Sequence, residues 1–326
     1  MSTVAQADPA IPAGSARPLS ERRPLGDRGF QLLALASGLL VLVILILIAV
    51  STSQQASSWF SAEGIKIFSS NWDPATNQFG ALTFIYGTAV TAVIALVMAV
   101  PVSVGIALLL TEVVPRRWSR PIVTVIDLLA VVPSVVWGLW GIIVFAPWIQ
   151  HLYASIGSGV TGIPVLDSLF GPPTSGASFF TTGIILAFMI TPIVTSLSRE
   201  VIATVPVIDK EGAYALGATR LEMIRGAVWP HSQGGVVGAV LLGLGRAMGE
   251  TIAAALVIGS SPTITSHLFA PGYNMPAVIA NQFGEASSVF RAGLMGMGVL
   301  LFAFTIIINV IARGVVERSA RRKRGN

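Results

Sequence analysis

The sequence predicts an all-α, polytopic membrane protein with six transmembrane helices, and three observations carry that reading. Hydrophobic residues fill 53% of the 326 positions and charged residues only 11%, whereas an ordinary soluble domain is about a quarter charged. Six apolar runs recur along the chain, each near the roughly 20 residues needed to cross a hydrocarbon core of about 30 Å. The basic residues gather on one side of those runs, as membrane insertion favours.

Residues 1–28 are rich in Ala, Pro, Ser and Arg without helical periodicity, so a disordered cytoplasmic tail is expected there. Residues 30–50 form a charge-free run of 21. That is longer than the core of a signal peptide and lacks its cleavage site, so an uncleaved first span is expected, within a segment 29–78 that also holds an external loop. In that loop Trp59, Phe60 and Trp72 are expected as interfacial anchors. Further spans are expected at 84–110, 121–146, 179–197, 234–258 and 292–312, within a core at 79–317, followed by a basic tail at 318–326. Pro101, Pro133 and Pro192 fall inside three of these spans and predict kinks, because proline lacks the amide a helix uses.

Orientation follows from the 20 Lys and Arg. Four precede the first span, Arg116, Arg117 and Arg120 follow the second, four lie between Arg199 and Arg225, and six run from Arg313 onward. Lys66 and Arg291 fall on the other side, and Arg246 lies within a span. The expectation is a multi-pass bacterial inner-membrane protein with both termini in the cytoplasm. The basic excess is therefore accounted for by lipid and insertion, and nucleic acid is not an expected partner. The chain has no cysteine and three scattered histidines, His151, His231 and His267, so neither a disulfide nor a thiol or histidine metal site is expected.

Between the fourth and fifth apolar runs lies a polar, helix-forming island, Glu211-Gly-Ala-Tyr-Ala-Leu-Gly217-Ala-Thr-Arg-Leu-Glu222, continuing to Pro230. Its local signals predict two short helices. Asp209 is placed to cap the first, Gly217 to end it in the left-handed conformation, and Thr219 with Glu222 to form a capping box for the second. Pro230 is expected to stop that second helix. A loop at 206–231 with this much internal structure suits a rigid lever better than a flexible connector.

The Glu-x-Ala sequence, with a glycine six residues after the Glu and a proline thirteen further on, resembles the cytoplasmic coupling motif of bacterial ABC importer permeases. Phe79-Gly-Ala-Leu-Thr-Phe-Ile-Tyr-Gly-Thr88, Pro133-Ser-Val-Val-Trp-Gly-Leu-Trp-Gly141 and Gly245-Arg-Ala-Met-Gly-Glu-Thr251 resemble, more narrowly, the permease subunits of the phosphate-specific importers. The chain departs from the usual pattern at Gly212, Trp229, Thr83 and Asp127. The resemblance implies a type I ABC importer permease core, docking of an ATPase through Glu211, Gly212, Ala213, Gly217, Thr219 and Pro230, and a heterodimer with a second permease chain. It also implies two ATP-binding subunits and an extracytoplasmic phosphate-binding protein. No Gly-x-x-x-x-Gly-Lys-Ser/Thr sequence is present, so ATP hydrolysis is expected in a separate chain. No cofactor is expected, and the chain itself is expected to be a transport subunit and not an enzyme.

Three charges fall inside the expected spans: Asp127, Arg246 and Glu250. A charge near a helix centre costs about 2.5–3.5 kcal/mol on insertion scales, so these side chains should face a polar cavity or one another. On one uninterrupted helix Arg246 and Glu250 would share a face and could pair. Such a pair either fixes helix packing or lines an anion path, and Asp127 is open to the same two readings. Gly245, Gly249 and Ala253 form a small-residue ridge that would admit a neighbouring helix. Trp137 and Trp140 suit an aromatic belt or a gate. Rival functions are a permease for molybdate or sulfate and an ATP-independent secondary transporter using the three charges as a proton relay.

Overall fold

The apolar runs fold as helices, but two of them break, one at Pro133 and the other after Gly249. The computed structural model describes residues 25–160, 162–170 and 175–324, and the chain divides after Val50 into two units. The expected tail at 1–28 lies outside the described residues except for 25–28, which open the first helix.

Helix α1 (Leu25–Glu63) outlasts its apolar run because no Gly or Pro occurs between Gly38 and Gly64. Gly64, with φ of +50°, ends it. In the first unit the large apolar side chains from Phe30 to Val50 are exposed, the surface that acyl chains cover in a bilayer.

The second unit begins with the last turns of α1 and a two-stranded antiparallel hairpin, β1 (Trp72–Asp73) and β2 (Gln78–Phe79). The hairpin turn is held by Asp73, which accepts from the Thr76 hydroxyl at 2.8 Å and the Ala75 amide at 3.0 Å. These bonds, the Thr76 hydroxyl first, hold its carboxyl below the usual range. There follow α2 (Leu82–Leu108), α3 (Arg116–Ala130), α4 (Ser134–Trp140), α5 (Ala146–Val160), α6 (Pro164–Phe170) and α7 (Phe179–Ala203). The remainder comprises α8 (Val207–Ala215), α9 (Arg220–Met223), α10 (Trp229–Gly249), α11 (Ile252–Val257), α12 (Met275–Gln282) and α13 (Ser288–Arg324). Pro101 and Pro192 lie inside α2 and α7 as expected. Helix α13 continues through the expected basic tail as far as Arg324.

Among the described residues five helices are long and apolar enough to cross a membrane: Gly29–Phe68, Leu82–Val113, Ser134–Val160, Phe179–Ala203 and Ser288–Gly314. The third expected span, 121–146, is displaced. Pro133 separates α3 from α4, and the membrane-length helix starts at Ser134 and reaches Val160, so residues 147–160 are helix and not loop. Proline at the N-cap starts a helix readily because the first amides need no internal acceptor. The expected run 234–258 also differs, for α10 ends at Gly249 and α11 begins at Ile252.

The unit has an apolar cluster at each end. At one, Trp59, Trp72, Phe79, Phe84, Tyr273 and Phe290 pack together. Trp59 is 3% exposed and donates to the Phe79 carbonyl at 3.2 Å, and Trp72 donates to Gln282 at 3.1 Å. Trp59 and Trp72 are therefore core residues, not the interfacial anchors expected of them, because folding of the hairpin over α2 and α13 removes them from the surface. Thr88 adds a tie, accepting the Met275 amide at 3.0 Å and so fastening α12 to α2. At the other end Ala107, Ile202, Val205, Met223, Val228 and Val236 join α2, α7 and the polar island.

Candidate functional site

Helix α8 starts after Pro206 and ends in the geometry anticipated for Gly217. Asp209 does not cap it: the N-cap is Pro206, three residues earlier, and no side chain caps the helix there. Gly217 has φ of +83°, its amide donates to the Tyr214 carbonyl at 2.9 Å, and the Ala218 amide donates to Ala213 at 3.1 Å. This pair of bonds is a Schellman closure, which satisfies the last carbonyls of α8.

One residue later Thr219 opens α9. Its hydroxyl accepts the Glu222 amide at 3.4 Å, while the Glu222 carboxylate accepts the Thr219 amide at 2.7 Å, completing the capping box. The amide bond first, and then the Thr219 hydroxyl, hold the Glu222 carboxyl below its usual range. A lowered carboxylate pKa means that this cap is complete above the unfolded-state value and is lost as pH falls through the folded one. Thr219→Ala should therefore speed amide hydrogen exchange at Glu222 at neutral pH while leaving the amides of α7 unchanged.

Pro230 does not stop the second helix. A wide π-turn over Ile224–Val228 carries the chain from α9 into α10, with Pro230 in the first turn of α10. The Trp229 amide donates five residues back to Ile224. Such a bulge lets a helix pass a proline, since the register shift removes the need for its missing amide.

The island is seated on the membrane helices and bare on its other side. Met223, Val228 and Val236 are buried against Ala107 and Ile202, with Ala213 packed beside them. Facing away, Glu211 and Gly212 are exposed, as are the apolar side chains of Val207, Ile208, Tyr214, Leu216 and Leu221, with Leu216 at 90%. An exposed apolar patch on an otherwise polar loop marks a protein contact. Between α8 and the start of α10 lies a cleft of about 800 Å³ bordered by Asp209, Gly212, Leu216 and His231.

Sequence reasoning missed the ion pair that joins this loop to α2. Lys210 Nζ lies 2.6 Å from Glu112 Oε1, with the two side chains 18% and 6% exposed. Opposite charges were the only signal, and the pair is 98 residues apart in sequence, beyond any local spacing rule.

The three expected membrane charges are placed differently. Arg246 is exposed in the last turn of α10, and among the described residues it has neither hydrogen bond nor ion pair. Glu250 does not share its helix. Its backbone is extended (φ −70°, ψ 122°), and its carboxylate accepts the Ala253 amide at 3.4 Å, at the start of α11. The expected Arg246–Glu250 pair is thus absent among the described residues. Beyond the break α11 lies so close to α4 that a Cβ on Gly138 would stand 2.9 Å from the Ala253 Cα. Ala253 is accordingly buried against α4, while Gly245 and Gly249 meet open space. Asp127 is exposed on α3, outside the Ser134–Val160 helix. Trp137 stacks on Phe188 of α7 with centroids 6.0 Å apart, and Trp140 stacks on Phe145 at 5.3 Å.

Membrane-length helices and a preformed two-helix loop that exposes apolar side chains define a polytopic helical membrane protein. Comparison with known proteins agrees. Residues 99–325 match the family described as "Binding-protein-dependent transport system inner membrane component". The chain is 41% identical over 327 residues to the phosphate transport system permease protein PstC of Xylella fastidiosa, covering 100% of this chain and 99% of that one. It is 42% identical over 324 residues to the protein of the same name in Mesorhizobium japonicum, covering 98% of each. Among solved structures, a bacterial ABC transporter involved in the import of the acidic polysaccharide alginate superposes with a TM-score of 0.56 at 15% identity, covering 89% of this chain and 96% of that one. The chain belongs to the binding-protein-dependent transport system inner membrane component family, and its fold is that of a type I ABC importer permease core.

Proposed function

We propose that this chain is the permease subunit of an ATP-driven importer that carries inorganic phosphate into the bacterial cytoplasm by alternating access. The observation that carries the proposal is the two-helix loop, seated on α2 and α7 by one face and presenting apolar side chains and Glu211 on the other. The two PstC relatives, matched along nearly their whole length, supply the substrate. The subunit catalyses no reaction of its own. ATP is hydrolysed by two separate chains that grip the 206–231 loop through Glu211, Gly212, Ala213 and Gly217, with Thr219 and Pro230 shaping it, and their closure on ATP moves α7 and α10 as levers.

A second permease chain covers the face of α10 on which Gly245, Arg246 and Gly249 lie open, since a charge near the centre of a span faces lipid only at a cost of about 2.5–3.5 kcal/mol. Arg246, Glu250 and Asp127 line the anion path, Arg246 offering several donors to phosphate oxygens. An extracytoplasmic phosphate-binding protein delivers substrate at the hairpin end, and the N- and C-termini lie in the cytoplasm. The functional boundaries are a core at 79–317, preceded by the first span and its external loop at 29–78. The test is purification of the intact complex with mass spectrometry of its partners. Two copies of an ATPase chain and one of a different permease are expected, and a chain purified alone from membranes that import phosphate would refute the assignment.

Topology gives an independent check. Reporters fused after Glu112 and Arg225 should read cytoplasmic, and those near Ser70, Gly162 and Tyr273 external.

A further inference from the structure

The ion pair between Lys210 and Glu112 stands apart from the docking surface. On α8 the partly buried positions are Lys210 and Ala213, directed at the membrane helices, while Glu211, Gly212 and Ala215 are exposed. Glu112 sits at the end of α2 in a π-turn, Leu109–Val113, one residue before its close. Helix α8 is joined covalently only to α7 and, through α9, to α10. Besides the apolar packing of Ala213 beside Ala107, the Lys210–Glu112 contact is the polar tie from α8 to the end of α2, at 2.6 Å with both side chains largely shielded. In such surroundings an ion pair resists separation, because parting the charges leaves each one desolvated and uncompensated.

We propose that Lys210 and Glu112 form a rigid strut that carries motion of the docking helix into α2 and stays closed throughout the transport cycle. The two are positioning residues that contact neither phosphate nor ATP. The proposal rests on the docking-loop reading above. Because α2 and α7 pack along their length, a lever that drove α7 alone would have to shear that contact. The strut makes both helices move together.

The test uses the complete importer, reconstituted in vesicles with its ATPase and second permease chains, and measures radiolabelled inorganic phosphate imported per ATP hydrolysed. Glu112→Gln and Lys210→Met should each assemble normally yet lower that ratio by about fivefold or more, the range over which coupled sites influence one another. Glu112→Lys combined with Lys210→Glu should recover most of it. The chain has no cysteine, so Glu112→Cys with Lys210→Cys gives one addressable pair within this subunit, used with cysteine-free partner chains. That variant should be uncoupled until a short thiol crosslinker bridges it, and coupled afterwards. A normal ratio in the single variants, no recovery in the exchange, or a block of transport by the crosslinker would each overturn the strut. If the single variants fail to assemble, the exchange and the crosslink still decide the matter. Failure of the docking reading would look different, since the ATPase would then be missing from the wild-type complex.

Discussion

Gly217→Val is expected to abolish phosphate uptake while leaving the protein in the membrane at its normal abundance. The cause is conformational and not steric, because a Cβ at Gly217 would meet nothing within 4 Å. With φ at +83°, a side-chain-bearing residue pays about 1–2 kcal/mol, and a β-branched one more. Relief comes by abandoning the left-handed turn, which breaks the bonds from Gly217 to Tyr214 and from Ala218 to Ala213. The angle between α8 and α9 is then no longer fixed. Gly217→Asn, which tolerates that conformation, should retain most uptake. Glu211→Lys should also stop transport, but by weakening ATPase association, since Glu211 is exposed and among the described residues makes no ion pair. Wild-type uptake in both Gly217→Val and Glu211→Lys would refute the lever.

The second large effect concerns Arg246 and Glu250. Arg246→Gln should lower uptake by roughly 10- to 100-fold, the worth of a charge-assisted hydrogen bond to a desolvated anion, with assembly intact. Reversing either charge, or exchanging them in Arg246→Glu with Glu250→Arg, should also fail to transport. Were the two a packing pair, the exchange would restore uptake. It cannot here, because Glu250 leaves the helix after Gly249 and turns its carboxylate to the Ala253 amide. A guanidinium at position 250 would confront the positive end of α11 in place of that carboxylate. Near-normal uptake by the double exchange would count decisively against a path role.

The turn between α8 and α9 was legible in sequence, while the start of α8, at Pro206 in place of Asp209, and the long-range contacts were not. Gly217 and the Thr219–Glu222 pair could be placed because a helix end is set by residues within a turn of it. Pro230 misled, since a π-turn ending two residues earlier, at Val228, absorbs the missing amide. The break at Glu250 was invisible for a different reason. Beyond it α11 meets α4 at Gly138, more than a hundred residues away in the chain, a contact that no local signal shows. Trp59 and Trp72 have the composition of interfacial anchors, and only the folding of the hairpin onto Phe79, Phe84 and Phe290 makes them core. Lys210 and Glu112 belong with these cases, two ordinary surface charges until the fold brings them together.

In the proposed mechanism, ATP hydrolysis by separate chains, transmitted through the 206–231 loop, drives phosphate through this subunit. Its most direct test is uptake of radiolabelled phosphate into vesicles holding the purified complex, the ATPase chains and the binding protein, with and without ATP and across an imposed proton gradient. Uptake should require ATP, be unaffected by excess sulfate or molybdate, and disappear in Gly217→Val. Uptake that follows the proton gradient without ATP would contradict it.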